Sequence, residues 1–215
     1  MIKDNLKRIS EKLPENVNLI VVTKLRSDEE IMQVYNEGYR SFGENKVQDL
    51  VKKWEKLPKD IKWDMIGHLQ SNKVKYIAPF INLIHSVESA GLAAEIDKQA
   101  MKNKRIIDIL LQFHVADEES KFGENPANAL GFCRKVLEFK NIRIRGIMGM
   151  ATLTNDENKI RNEFKALKNT FEYLKKTLFQ NSSSFSIISM GMSSDYKIAI
   201  EEGSNMVRIG SSVFL

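Results

Sequence analysis

The chain has 215 residues, 33 Lys and Arg against 28 Asp and Glu, and a single cysteine, Cys133. A net charge of +5 and 42% hydrophobic residues describe a globular chain rather than a disordered one. One cysteine excludes an intramolecular disulfide framework and a multi-cysteine zinc module, and no apolar run approaches the roughly 18–20 residues that a membrane helix needs.

Ile2, Leu6, Ile9 and Leu13 recur at helical spacing and predict a helix over residues 2–12. The β-branched run 17–23 reads as a short buried strand. Ser27-Asp28-Glu29-Glu30 then opens a helix, with acids in its first turn, that stops at Gly38. The unit repeats. A strand over 39–42 ends in Gly43-Glu44-Asn45, and a helix runs to Leu57, closed by Pro58. A strand over 63–66 ends at Gly67 and leads into a helix through Tyr76. A strand over 82–87 precedes a helix opened by Glu88-Ser89 and reaching about Asn103. The longest apolar strand spans 108–115, and Pro126 fits the first turn of a helix to Phe139. Strand 142–148 precedes a long charged helix near 156–178, followed by the polar loop Asn181-Ser182-Ser183-Ser184. Strand 185–189, a short helix around 194–202 and strand 206–209 complete the pattern.

Eight strands alternating with helices make an α/β chain with a parallel sheet, and eight is the number that closes a (β/α)8 TIM barrel, here as a single domain over 1–215. A doubly wound open sheet is the alternative, although the G-x-G-x-x-G fingerprint is absent after the first strand. Phe-Gly-Glu-Asn occurs at 42–45 and 122–125, but the flanks differ and the repeat reads as chance.

The N-terminus mixes charges and has no apolar core, so it is not a signal peptide and a cytoplasmic protein is expected. Basic residues are scattered beside acids, as in Lys52-Lys53-Trp54-Glu55-Lys56, without the concentrated stripe of a nucleic-acid surface. The positive balance leaves a preference for small anionic ligands.

Barrel sites lie at the C-terminal ends of the strands, with phosphate often held after strands seven and eight. Strand one ends at Lys24. This residue either simply reaches solvent, the reading favoured on that observation alone, or is a Schiff-base lysine whose amine is activated in a partly dry pocket. Strand seven ends in Ser189-Met190-Gly191-Met192-Ser193-Ser194-Asp195, which suits an anion cradle or a plain helix cap. Strand eight ends in Arg208-Ile209-Gly210-Ser211-Ser212, repeating the cradle and adding a cation at the barrel mouth. Together with Lys24 these loops outline pyridoxal 5′-phosphate: an aldehyde for Lys24, a phosphate for the two-part cup, a pyridine nitrogen for Arg208. His68, His85 and His114 lie near the ends of strands three to five. A metal-assisted hydrolase built on them ranks well below the cofactor reading, because no carboxylate accompanies them at ligand spacing. Cys133 reads as a buried inert thiol, and the pairs Met148/Met150 and Met190/Met192 as barrel lining.

Several stretches together carry a family resemblance: Val21-Val22-Thr23-Lys24, Phe42-Gly43-Glu44-Asn45-Lys46-Val47-Gln48, Trp63-Asp64-Met65-Ile66-Gly67-His68-Leu69-Gln70-Ser71-Asn72-Lys73, Ile84-His85-Ser86-Val87, Glu119-Ser120-Lys121-Phe122-Gly123, Arg145-Gly146-Ile147-Met148-Gly149-Met150, the Ser189–Asp195 segment and Val207-Arg208-Ile209-Gly210. With them the sequence resembles the pyridoxal phosphate homeostasis proteins, which are similar to the N-terminal barrel domain of alanine racemase. The resemblance selects the barrel over the open sheet. It implies that Lys24 carries the cofactor as an internal aldimine and that Ser193, Gly210 and Ser211 bind its phosphate. It also implies that Arg208 faces the pyridine nitrogen and that Asn45 lies beside the ring. Thr23, Asp64-Met65, His114 and Ser211 stand where the family often has Ser, His-Phe, Asn and Thr.

The function implied is buffering and delivery of pyridoxal phosphate to apo-enzymes that depend on it, without catalytic turnover; the alternative is a racemase-like enzyme. An Arg at the pyridine nitrogen keeps that nitrogen unprotonated and the ring a poor electron sink. Racemisation also needs a second acid/base group opposite Lys24, and none is evident in the sequence. Eight strand–helix units fill all 215 residues, which leaves no room for the second domain that a racemase would use. No metal, nucleic acid or membrane partner is expected, and the chain is expected to be a monomer.

Overall fold

Short aliphatic strands cannot bury both faces alone, so they pair side by side and take helices on the outside. The computed structural model describes residues 1–117 and 122–215; Glu119-Ser120-Lys121 of the resemblance lies outside them. The described residues form α1 (Ile2–Ser10), β1 (Asn18–Val22), α2 (Asp28–Asn36), β2 (Ser41–Glu44), α3 (Val47–Lys56), β3 (Lys62–Met65), α4 (Val74–Ile77), β4 (Leu83–Val87) and α5 (Ala90–Lys102). The second half continues with β5 (Ile107–Gln112), α6 (Ala129–Leu137), β6 (Ile142–Met148), α7 (Glu157–Thr177), β7 (Ile187–Ser189), α8 (Tyr196–Glu201), β8 (Met206–Ile209) and α9 (Ser211–Phe214). All eight strands are parallel and in sequence order, and β1 pairs with β8 in the register Asn18↔Met206 to Val21↔Ile209. The sheet is therefore a closed barrel, and the open-sheet alternative falls.

Alternation along the strands sorts the side chains. Val21, Phe42, Trp63, Ile84, Ile109, Ile147 and Val207 belong to the large core shared with helix residues such as Leu50, Ile96 and Leu167. Ile20, Leu83, Leu110, Met148 and Met206 form a second, smaller cluster, the apolar filling of the barrel. Met150 packs against that filling, whereas Met190 belongs to the outer core, so the Met pairs divide between the two faces. Cys133 is fully buried, and burial pushes its thiol up to about 12, which keeps it an inert apolar group.

Helix starts follow their capping chemistry. Ser27 Oγ accepts from Glu30 N at 3.3 Å while Glu30 Oε2 accepts from Ser27 N at 2.8 Å, a reciprocal cap that opens α2. Asp156 caps α7 through Asn158 N and Lys159 N. Several elements differ from the sequence pattern. β2 runs on through Gly43 and Glu44 because the Glu44 carboxylate finds partners inside. β5 stops at Gln112, leaving only a bridge from Phe113 to Glu124. Phe185 leaves β7 to stack on Phe171 and Phe179. The terminal helix α9 had no sequence signal, and α1 holds it through Asn5 Nδ2 donating to Val213 O at 3.2 Å.

The ends of β1 and β2 are tied by a buried ion pair. Glu44 Oε1 accepts from Lys53 Nζ of α3 at 2.5 Å and from Thr23 Oγ1 at 3.0 Å, and its Oε2 accepts from Asn45 N at 2.9 Å. Lys53 Nζ also donates to Thr23 O at 2.7 Å. The groups flanking this cluster, Lys24 and Asn45, are thereby held by their neighbours. Replacing one partner strands the other charge, so Lys53→Met is expected to cost about 3–5 kcal/mol in denaturant unfolding. The double variant Lys53→Met with Glu44→Leu should recover much of that loss, and a double variant no better than the single one would show that the pair itself carries net stability.

Candidate functional site

Parallel closure brings every strand's C-terminal end to one rim. There a cavity of about 680 Å3 opens, a size suited to one small ligand. Lys24, Asn45, Ser193, Arg208, Gly210 and Ser211, the six residues singled out in the sequence, all line it.

Lys24 follows β1 and is exposed, with no hydrogen bond or ion pair among the described residues. Of the two alternatives for it, reaching solvent and standing in a partly dry pocket, the first describes its setting: it stands at the wet mouth. Leu25 beyond it adopts a left-handed backbone (φ 62°), which costs a non-glycine residue about 1 kcal/mol and turns the chain sharply after the lysine. Asn45 follows β2, and its backbone lies against Gly67 at the end of β3. A Cβ at position 67 would stand 2.3 Å from Asn45 O, so only glycine allows these two rim loops to touch.

The loop after β7 is folded on itself by Asp195 Oδ1, which accepts from Met192 N at 2.5 Å. Gly191 (φ 96°) turns it close to α8, where a Cβ would meet Ala199 Cβ at 2.6 Å. Ser193 Oγ then accepts from Gly210 N at 3.3 Å, joining the β7 and β8 loops. Ser194 and Ser212 also line the cavity, so this wall presents several hydroxyls, and Ser193, which accepts from Gly210 N, keeps its own O–H to donate, a set suited to a phosphate.

Arg208 rises from inside the barrel and is 4% exposed. Its Nη1 donates to Ser189 Oγ at 2.5 Å and its Nη2 to Gly149 O at 3.2 Å. Burial lowers its pKa to about 10, with Asp195 pulling the other way, so it remains a cation at neutral pH. Behind Ser189 lies His85, whose Nδ1 is 3.1 Å from Ser189 Oγ and whose Nε2 is 3.1 Å from Asp64 Oδ2. Asn82 Nδ2 donates to Asp64 Oδ1 at 2.7 Å.

The histidines correct the sequence reading in one respect. Two of them do have carboxylate partners, brought from other elements: Asp64 for His85, and Glu88 for His68 at 3.1 Å. Among the described residues no group of three His, Cys, Asp or Glu that could hold a metal ion occurs. His114 contacts Ala116 O at 2.7 Å and does not line the cavity. Lining residues missed as such include Arg26, His68, Gln112 and Phe122. Phe122 stacks on the His68 imidazole at 4.0 Å between centroids. The strand-end rule would have found Gln112, which ends β5, and it had already brought up His68, three residues beyond β3, but only as a metal candidate. Phe122 comes from a loop and carried no such signal.

The family model for the alanine racemase N-terminal domain matches residues 1–215. The pyridoxal phosphate homeostasis protein of Aquifex aeolicus is 37% identical over 197 residues, covering 91% of this chain and 85% of that protein. That of Helicobacter pylori strain J99 is 39% identical over 203 residues, with 92% and 87% covered. The chain belongs to the pyridoxal phosphate homeostasis protein family. Within reach of this family, the structure of PipY from Synechococcus elongatus with PLP bound matches at a TM-score of 0.91 and 31% identity over 100% of both chains. An alanine racemase from Clostridium difficile matches at a TM-score of 0.80 and 14% identity, covering 99% of this chain and 56% of that one, a likeness of fold alone. The barrel and the family expected from the sequence both hold.

Burial holds the His85 imidazole below its ordinary 6.5, against the pull of Asp64. The unfolded chain then takes up a proton that the folded chain resists. The contribution is present above about pH 6.5 and is lost as pH falls through and below that value. Wild-type stability should therefore drop between pH 7.5 and 5.5 by more than that of His85→Gln, the difference approaching about 1.4 kcal/mol per pH unit at the acid end. Equal losses in denaturant unfolding would mean that His85 titrates alike in both states.

Proposed function

We propose that this chain binds pyridoxal 5′-phosphate in the rim cavity and serves intracellular homeostasis of that cofactor, buffering it and delivering it to apo-enzymes, without turnover of a substrate. The observation that carries the reading is the convergence of a free amine, a hydroxyl-lined anion cup and a buried guanidinium in one cavity of a chain whose relatives are named for this role. PipY, bound to PLP in its structure and alike over its full length, supports the choice of ligand.

Bound there, pyridoxal phosphate supplies an aldehyde, a phosphate and a pyridine nitrogen. Lys24 would offer the amine for that aldehyde, and its exposure would keep the site open to water and to competing amines. Ser193, Gly210 and Ser211 would hold the phosphate. Arg208, a cation at neutral pH, would sit toward the pyridine nitrogen and disfavour a proton there. Asn45 would stand beside the ring. That arrangement favours retention over carbanion chemistry. The chain works as a cytoplasmic monomer; among the described residues no helix is long and apolar enough to cross a membrane.

A second reading has one observation in its favour. His68, oriented by Glu88, lines the cavity and could serve as the acid/base group that a racemase needs opposite Lys24. Cofactor-saturated protein in heavy water separates the two: no α-proton exchange on common amino acids is expected, and exchange that His68→Gln abolishes would favour the enzyme.

Borohydride reduction of cofactor-loaded protein should fix the label on the Lys24 peptide, and Lys24→Ala should take up none. Labelling of that variant at the wild-type level would overturn the assignment. Arg208→Ala is expected to weaken cofactor retention about tenfold or more and to shift its absorbance band. An unchanged band would place Arg208 outside the site.

A further inference from the structure

Four polar side chains lie in a continuous line across the barrel interior. Arg208 Nη1 approaches Ser189 Oγ at 2.5 Å, Ser189 Oγ approaches His85 Nδ1 at 3.1 Å, and His85 Nε2 approaches Asp64 Oδ2 at 3.1 Å. All four are buried, with His85 and Ser189 wholly so. They come from β3, β4, β7 and β8, so the line spans the barrel rather than following one strand.

The hydrogens on this line have one consistent arrangement. Arg208 can only donate, so Ser189 Oγ accepts from it. Asp64 Oδ2 accepts, so His85 Nε2 carries the proton. With His85 neutral, Nδ1 is then an acceptor, and the Ser189 hydroxyl donates to it. Each group donates to the next in the same sense, from the guanidinium to the carboxylate, and bonds aligned this way polarise one another. The opposite tautomer would turn a histidine lone pair toward Asp64 and leave the Ser189 proton without an acceptor on the line. Asn82 Nδ2 occupies the other Asp64 oxygen at 2.7 Å and so fixes the carboxylate's own orientation.

We infer that Asp64 is a positioning residue for Arg208: through His85 and Ser189 it sets the direction of the hydrogen-bond line that holds the guanidinium at the floor of the cavity. The consequence for a ligand is specific. Nη1 and Nη2 are bound to Ser189 and Gly149, while Nε makes no hydrogen bond among the described residues. A fixed Nη1 fixes the plane of the guanidinium and hence where its remaining donors point. The part of this inference that concerns the ligand rests on the reading of the cavity as a pyridoxal phosphate site.

The test has two arms. In cofactor-free protein, 15N imidazole resonances should show His85 as the neutral Nε2–H tautomer at pH 7. Finding the Nδ1–H tautomer or an imidazolium overturns the line whatever the cavity binds. In cofactor-loaded protein, Asp64→Leu should shift the absorbance band and speed cofactor release about tenfold, while Asp64→Asn, which keeps an acceptor, should restore much of both. A band and release rate unchanged in Asp64→Leu overturn the positioning role. If Asp64→Leu does not fold, His85→Phe cuts the same line at similar volume and carries the same expectations. Failure of wild-type protein to label Lys24 would overturn the cofactor reading separately, with the tautomer still deciding the line.

Discussion

Closure of a parallel sheet in sequence order is the constraint from which the remainder of this molecule follows. With β1 paired to β8, no strand has an edge, and every C-terminal end meets on one rim. The period of two then divides each strand into a helix-facing and an inward-facing set. Ile20, Leu83, Leu110, Met148 and Met206 form the apolar filling. The buried polar residues Asp64, His85, Ser189 and Arg208 interleave with it: Arg208 pairs in register with Ile20, Asp64 with Leu83, and Ser189 with Met148 and Met206.

The two buried charge clusters on this rim differ in kind. Outside the barrel wall, Glu44 and Lys53 are in direct contact, and their charges cancel locally. Removing either leaves a bare charge, so the pair acts as a structural clip between β1, β2 and α3. Inside, the hydrogen-bond acceptors of Arg208 are both neutral, a hydroxyl and a carbonyl. Its positive charge is held in place without being cancelled by contact, and it remains available to whatever enters the cavity. A guanidinium in such a setting is costly to bury, which is why its pKa falls to about 10.

The strand count, the parallel order and the rim location could be read from short apolar runs, turn residues and the barrel rule. Lys24, Arg208 and the serine loops stood out because each interrupts an apolar strand or follows it directly. Asp64 and His85 were less legible for a definite reason. Asp64 meets Asn82 and, on the next strand, His85, and His85 meets Ser189 of β7, more than a hundred residues away; pairing across a closed barrel leaves no trace in local spacing. The same holds for Glu44 with Lys53, although these lie only nine residues apart: the strand-to-helix turn between them hides their contact. Phe122 reaches the cavity by a loop, where periodicity has nothing to say.

Depth within the cavity separates two tasks. Lys24 stands at the mouth, exposed and flanked by the strained Leu25, so its amine meets solvent. Arg208 stands at the floor, 4% exposed and held by a line of hydrogen bonds reaching the far side of the barrel. A racemase needs the reverse emphasis, with the reacting atoms sealed from water and acid/base groups on both faces. A carrier needs a firm grip on the charged parts of its cargo and an accessible covalent link. Under the proposed reading, the wet lysine and the fixed arginine of this barrel divide the work along that line.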